Sequence, residues 1–179
     1  MSAPRHILVA LVEDKPGVLN RIASLFRRRG FNIASLAVGH SEIPHLSRMT
    51  IVVEGDGTVR EQAARQLDKL VDVVKVLDIT DEPIVARELA LLKVKAVPPQ
   101  RSEIIEIVDI FRGNIIDVSS DTLIIEVTGD EDKIDSLYNL LKPFGVREIM
   151  RTGQVAMVRG ISTMDTQGGS KRPKKSAQE

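Results

Sequence analysis

The sequence predicts an α+β fold composed of two ferredoxin-like βαββαβ modules. Short apolar runs rich in β-branched residues alternate with segments in which apolar residues recur at helical spacing. The order strand, helix, strand, strand, helix, strand occurs twice along the 179 residues, without obvious identity between the two halves. A hydrophobic fraction of 42% and a charged fraction of 28% are typical of a folded globular chain.

The first half opens with an apolar run at residues 7–12, which is short enough to be a buried strand, and the turn-forming residues 14–17 follow it. From Val18, apolar residues at i, i+4 and i+7 mark one face of a helix that ends at Gly30. Two strands joined around Pro44, a second helix and a fourth strand complete this half. They are predicted at residues 32–39, 47–54, 59–70 and 72–79.

The polar segment 80–83 separates the halves, and a strand with alternating apolar residues is predicted at 87–97. A Pro-Pro pair at 98–99 ends that strand, and the helical stripe 104–111 then runs up to a glycine. Two strands, a helix that Pro143 stops, and two more strands follow. They are predicted at residues 115–118, 123–127, 134–141, 146–150 and 155–158.

These segments predict domains at residues 1–80 and 81–164. Residues 165–179 are predicted to be a disordered tail, because they are rich in Gly, Ser, Lys and Pro and have no apolar periodicity. In a βαββαβ module both helices cover the same face of the sheet, so the other face must be covered by something else. We therefore expect association between the halves or between chains.

Composition excludes several classes of function. The 25 Lys and Arg residues balance the 25 Asp and Glu residues, so the chain lacks the positive charge typical of nucleic-acid and membrane-surface proteins. Cysteine is absent, which excludes disulfides, thiolate metal sites and a cysteine nucleophile. No apolar run approaches the ~18 residues that a membrane span needs, and no signal-peptide core is recognisable. We expect a cytoplasmic protein.

The sequence contains no recognisable catalytic constellation. His6, His40 and His45 are the only histidines, and they lack the helical i, i+4 spacing of a zinc pair. No nucleophile elbow, phosphate-binding loop or dinucleotide fingerprint occurs. We expect neither catalytic nor metal-binding residues in this chain.

The most informative stretch is residues 13–19, between the first strand and the first helix. A local interpretation has Asp14 or Lys15 near the cap, with Pro16 in the first helical turn. A functional interpretation adds a ligand, because a helix N-terminus offers unpaired N–H groups to a carboxylate and Gly17 leaves the backbone accessible. Asp14 could then hold an ammonium group. The helix N-terminus and Asp14 together would therefore suit the two ends of a free amino acid.

Two long motifs of the first half resemble an ACT domain, a βαββαβ module. They are Val12-Glu13-Asp14-Lys15-Pro16-Gly17-Val18-Leu19 and Leu25-Phe26-Arg27-Arg28-Arg29-Gly30-Phe31-Asn32-Ile33. Three further motifs resemble, more narrowly, the regulatory (small) subunit of acetohydroxyacid synthase, also called acetolactate synthase. They are Ser35-Leu36-Ala37-Val38-Gly39, Leu46-Ser47-Arg48-Met49-Thr50-Ile51 and Ile110-Phe111-Arg112-Gly113-Asn114-Ile115-Ile116-Asp117-Val118.

The resemblance implies a non-catalytic subunit with an N-terminal ACT domain and a C-terminal ACT-like domain. Such subunits dimerise through the N-terminal domains, activate a separate catalytic subunit and confer feedback inhibition by valine in branched-chain amino acid biosynthesis. Thiamine diphosphate, Mg²⁺ and FAD belong to the catalytic partner. The implied valine site comprises two sets of residues: Asp14, Gly17, Val18 and Leu19 at the helix start, and Asn32 and Ile33 of the neighbouring protomer.

Two other hypotheses remain at this point. The chain could be a stand-alone amino-acid-sensing ACT protein that regulates another enzyme or a transcription factor. It could also be a small enzyme of ferredoxin-like fold with an unrecognised site. The stretch 111–117 favours the regulatory subunit over the stand-alone ACT protein. The lack of any set of acid–base, nucleophilic or metal-binding residues disfavours the small enzyme.

Overall fold

The computed structural model describes residues 3–160, so the predicted tail lies outside the described residues. In chain order the first elements are β1 (Arg5–Glu13), α1 (Val18–Arg29), β2 (Asn32–His40), β3 (Leu46–Glu54), α2 (Gly57–Asp68) and β4 (Val73–Asp78). The later elements are β5 (Ile84–Lys95), α3 (Pro98–Ile110), β6 (Asn114–Val118), β7 (Thr122–Gly129), α4 (Glu131–Gly145), β8 (Val146–Arg151) and β9 (Val155–Val158).

The chain forms two compact units. The first runs up to Ile84 and the second is Val85–Met157, with residues 158–160 grouped with the first. Strands lie in the order β2-β3-β1-β4 in the first sheet and β6-β7-β5-β8 in the second, and these neighbours are antiparallel. The prediction of two ferredoxin-like βαββαβ modules is confirmed. The second sheet also gains β9, which pairs with β5.

Each unit has its own hydrophobic core between one face of its sheet and its two helices. In the first unit, alternate residues of β1 and β3 point at the helices because side chains along a strand alternate between faces. This core includes Leu8, Ala10, Val12, Met49, Ile51, Val53, Ile22, Phe26, Ala63 and Leu67. The second unit repeats the arrangement with Ala90, Leu92, Val94, Leu123, Ile125, Val127, Ile104, Val108, Ile134 and Leu137.

The structure agrees with one proline prediction and corrects another. β5 ends at Lys95, before the Pro-Pro pair as predicted, and Pro98 and Pro99 also form the first two positions of α3. Proline is tolerated there because the first helical N–H groups have no partner within the helix. Pro143 does not stop α4, which continues to Gly145. Only the last turn is affected, and Gly145, with φ of 98°, then ends the helix.

A polar contact is repeated in the two units where the second strand of each begins. The side-chain amide of Asn32 donates to the Glu54 carboxylate on β3 over 2.5 Å, and that of Asn114 donates to Glu126 on β7 over 3.2 Å. The two units therefore share this one side-chain pair as well as their topology.

Adjacent isoleucines on α3 provide a test of the second core. Ile104 is 0% exposed and Ile105 is 37% exposed. We predict that Ile104→Ala lowers the free energy of unfolding by about 2–5 kcal/mol because it leaves a cavity, whereas Ile105→Ala costs less than about 1.5 kcal/mol. Tyr138, the single tyrosine in a chain without tryptophan, lies on α4 against this core, so its fluorescence during urea titration reports on this unit. Equal losses from the two substitutions would contradict the described packing.

Candidate binding site at the start of the first helix

Three connections of the first unit meet at one end of its sheet. The backbone N–H of Asp14, in the β1–α1 loop, donates to the carbonyl of His45 in the β2–β3 hairpin over 2.8 Å. The N–H of Glu13 donates to the carbonyl of Asp72, just before β4, over 2.9 Å. The loop that leads into α1 is therefore held from both sides.

Gly17 is the N-cap of α1 and has left-handed backbone angles, with φ of 88°. The helix begins at Val18, so Pro16 precedes it and no side chain caps it. The local interpretation is therefore wrong in placing Pro16 in the first helical turn, whereas Lys15 lies two residues before the cap. A Cβ added at Gly17 would meet nothing within 4 Å, so the backbone is open to a ligand. Left-handed angles cost a non-glycine residue roughly 1–2 kcal/mol, which explains a glycine at this position.

The other three helices begin differently. Asp56 caps α2 by accepting from the N–H groups of Thr58 and Val59 at 2.9 and 3.0 Å. Asp130 caps α4 by accepting from the N–H of Lys133 at 2.9 Å, and α3 begins with two prolines, which carry no N–H. Among the helices of the described chain, α1 is therefore the one whose first two positions carry N–H groups and lack a side-chain cap. The positive end of its dipole favours an anion there.

The charged groups around Gly17 form two sets. On one side the Asp14 carboxylate, whose side chain is 43% exposed, lies 3.0 Å from Nδ1 of His40 at the end of β2. On the other side the Lys15 ammonium lies 2.9 Å from Asp72 Oδ1 and also pairs with Glu13. Hydrogen bonds from Lys15 hold the pKa of Asp72 below its ordinary value, and hydrogen bonds to Glu13 and Asp72 raise the pKa of Lys15.

The structure places the predicted site residues at the two ends of α1. Asp14 and Gly17 lie together at its start. The side chain of Val18 is buried in the core and leaves only its backbone available, whereas Leu19 is 47% exposed. Asn32 and Ile33 follow the C-terminal end of α1, and a helix of 12 residues is about 18 Å long. One chain thus brings the first four residues together but not the last two.

Arg21, His40 and Asp72 are neighbours of this site that the sequence does not predict. Arg21 lies one helical turn after Gly17 and pairs with Asp72, which is separated from it by 51 residues in sequence. An acidic residue directly before an apolar strand was the one local signal for Asp72. Within residues 3–160 no group of three or more His, Asp or Glu side chains is arranged to hold a metal ion. Nor does any described helix have the length and apolar character needed to cross a membrane.

Comparisons with known proteins agree with this architecture. Two family models match, the AHAS small subunit-like ACT domain over residues 8–75 and the small subunit of acetolactate synthase over residues 87–160. A probable acetolactate synthase small subunit from Archaeoglobus fulgidus is 58% identical over 156 residues, which cover 87% of this chain and 98% of that relative. The chain belongs to the acetolactate synthase small subunit family.

Further members of the acetolactate synthase small subunit family have similar sequences and folds. The acetolactate synthase small subunit of Mycobacterium bovis is 53% identical over 160 residues, covering 89% of this chain and 95% of that relative. The crystal structure of the small subunit from Thermotoga maritima superposes with a TM-score of 0.82 at 48% identity. The superposition covers 89% of this chain and 99% of the Thermotoga maritima chain. Both units, and not the ACT domain alone, therefore follow the family.

Proposed function

We propose that this protein is a non-catalytic regulatory subunit that activates the catalytic subunit of acetolactate synthase and makes it sensitive to feedback inhibition by valine. Membership of the small-subunit family supports the partner. The observation that carries valine binding is the uncapped start of α1 at Gly17. Its free N–H groups suit a carboxylate, and the exposed Asp14 carboxylate beside them suits an ammonium group.

We further propose a homodimer in which two first units pair along β2. This strand is an edge of its sheet, so one side of its backbone has no ladder partner among the described strands. The end of β2 lies at the start of α1, as the contact between His40 and Asp14 shows, whereas Asn32 lies at the far end. Antiparallel pairing of two β2 strands would bring Asn32 and Ile33 of the partner subunit to the Gly17 end. The two sets of predicted site residues would then form one site.

The chemistry of the holoenzyme is assigned to the other subunit in this proposal. Thiamine diphosphate, Mg²⁺ and FAD are proposed to bind the catalytic subunit, where the reacting carbon atoms lie. Binding of this chain would shift the catalytic subunit between two states. Valine would act because it binds the complex with different affinity in those two states. A cytoplasmic location is proposed with this role.

Reconstitution tests the assignment directly. We predict that the purified chain makes no acetolactate from pyruvate, even with thiamine diphosphate, Mg²⁺ and FAD supplied. Added to its cognate catalytic subunit it raises the rate, and valine then lowers that rate in a saturable manner. Measurable turnover by the chain alone would overturn the regulatory assignment. Activation that valine, leucine and isoleucine all leave unchanged would overturn the feedback role.

The dimer is tested at the β2 edge. Val38 on β2 is 47% exposed and Val71, before β4, is 76% exposed. We predict that sedimentation equilibrium gives twice the chain mass at micromolar concentration. Val38→Lys raises the dissociation constant about tenfold or more, because pairing would bury an unpaired charge, and Val71→Lys leaves it within about threefold. A monomer in the wild type, with and without valine, would contradict the proposal, as would equal effects of the two lysines.

Gly17→Asp separates binding of valine from activation. Asp adopts left-handed angles more readily than most residues, and its Cβ meets no protein atom, so we expect the helix to persist. Two carboxylates within ~4 Å in a partly shielded site repel by a few kcal/mol, which weakens valine binding about a hundredfold or more. We predict an enzyme that is still activated but resists valine.

Gly17→Asn is the matched control, because it has the same size and the same backbone tolerance without the charge. Calorimetry of the isolated subunit should show a smaller loss of valine affinity for Asn than for Asp, with similar free energies of unfolding. Equal losses would assign the effect to bulk or strain. Unaltered affinity in both variants would place the site elsewhere.

A further inference from the structure

Asp72 is a buried charged residue of the first unit. It is 1% exposed, and it directly precedes β4 in the connection from α2. Moving an isolated carboxylate out of water is unfavourable unless cations or hydrogen-bond donors compensate it. A buried acid at the rim of the core therefore indicates that something specific is held there.

The partners of Asp72 lie on both sides of Gly17. The Lys15 ammonium, 2.9 Å from Oδ1, is two residues before the glycine, and the Arg21 guanidinium, which pairs with Oδ2, is four residues after it. The Arg21 N–H donates to the Gly17 carbonyl over 3.0 Å, which closes the first turn of α1. Through these contacts one carboxylate fixes the loop before the helix and the first turn within it.

The same contacts determine where the Lys15 charge is directed. Glu13 and Asp72 both bind its ammonium on the β4 side of the loop. The carboxylate of Asp14, the adjacent acid, pairs instead with His40 at the end of β2. If Asp72 were neutral, Lys15 would lose one of its two anions and could turn to Asp14. The carboxylate proposed to receive the ligand's ammonium group would then be occupied.

We propose that Asp72 is a positioning residue for the effector site: it holds the β1–α1 loop in the form that opens the α1 N–H groups and keeps Lys15 away from Asp14. This inference rests on the proposed function of the Gly17 site. Asp72 itself does not touch the ligand, and it acts through Lys15 and Arg21.

The test replaces the charge with a neutral side chain of the same shape. We expect Asp72→Asn to weaken valine binding by about tenfold or more in calorimetry of the full-length subunit. Two controls separate positioning from general loss of stability. Asp78→Asn removes a carboxylate paired with Arg60 at the far end of β4, about 20 Å along the strand. Glu88→Gln removes another buried carboxylate, 5% exposed, from the second unit. Both controls should bind valine within about threefold of the wild type.

A double-substitution cycle tests the route of the effect. Lys15 is half exposed, so Lys15→Gln leaves the core intact even if Asp72→Asn folds poorly. If Asp72 acts through Lys15, the double variant binds valine no more weakly than Asp72→Asn alone, whereas fully additive losses would overturn the inference. Hydrogen exchange supplies a readout without valine: Asp72→Asn should accelerate exchange of the Arg21 amide, which donates to the Gly17 carbonyl, more than Asp78→Asn does.

The outcomes also separate this inference from the proposed function. A wild-type subunit that binds none of valine, leucine and isoleucine would overturn the proposed function. A wild type that binds valine, with Asp72→Asn binding equally well and exchanging its amides at the wild-type rate, would overturn the positioning role alone.

Discussion

The strand order of the first sheet is the constraint on which the candidate site depends. With β1 in the interior between β3 and β4, its C-terminal end lies between the β2–β3 hairpin and the connection from α2 to β4. The loop that leaves β1 therefore has a neighbour on each side, and it hydrogen-bonds to both. Antiparallel pairing of three strands thus gives a short loop a defined conformation, although the loop has no regular structure of its own.

Electrostatics supplements this topology. Among the described residues, each unit has one nearly buried carboxylate that pairs with an arginine: Asp72 with Arg21 in the first and Glu88 with Arg151 in the second. Because Lys15 and Arg21 lower the pKa of Asp72, the stabilisation from this group is complete at neutral pH. It is lost as the pH falls through that lowered pKa. Ion pairs of this kind contribute less to net stability than to fixing one arrangement of the chain, since burying the charge is itself unfavourable.

Much of this fold could be predicted from the sequence because its signals are local. Apolar periodicity located every helix and strand of the described chain, and the glycines at 17 and 30 lie where α1 begins and ends. Pro143 was interpreted less well, because whether a proline stops a helix or lies within its last turn depends on a few residues of register. Asp72 could not be assigned a role, because its partners lie more than 50 residues away along the chain.

Pro98 and Pro99 have a consequence for how many ligands one chain can hold. The second unit repeats the topology of the first, so a reader of the fold alone would count two equivalent helix starts. The first two positions of α3 have no N–H to offer, however, whereas α1 begins beside a glycine with its donors exposed. The second unit therefore repeats the topology of the first without repeating its helix start. The kind of site proposed at Gly17 thus occurs once among the helix starts of the described chain.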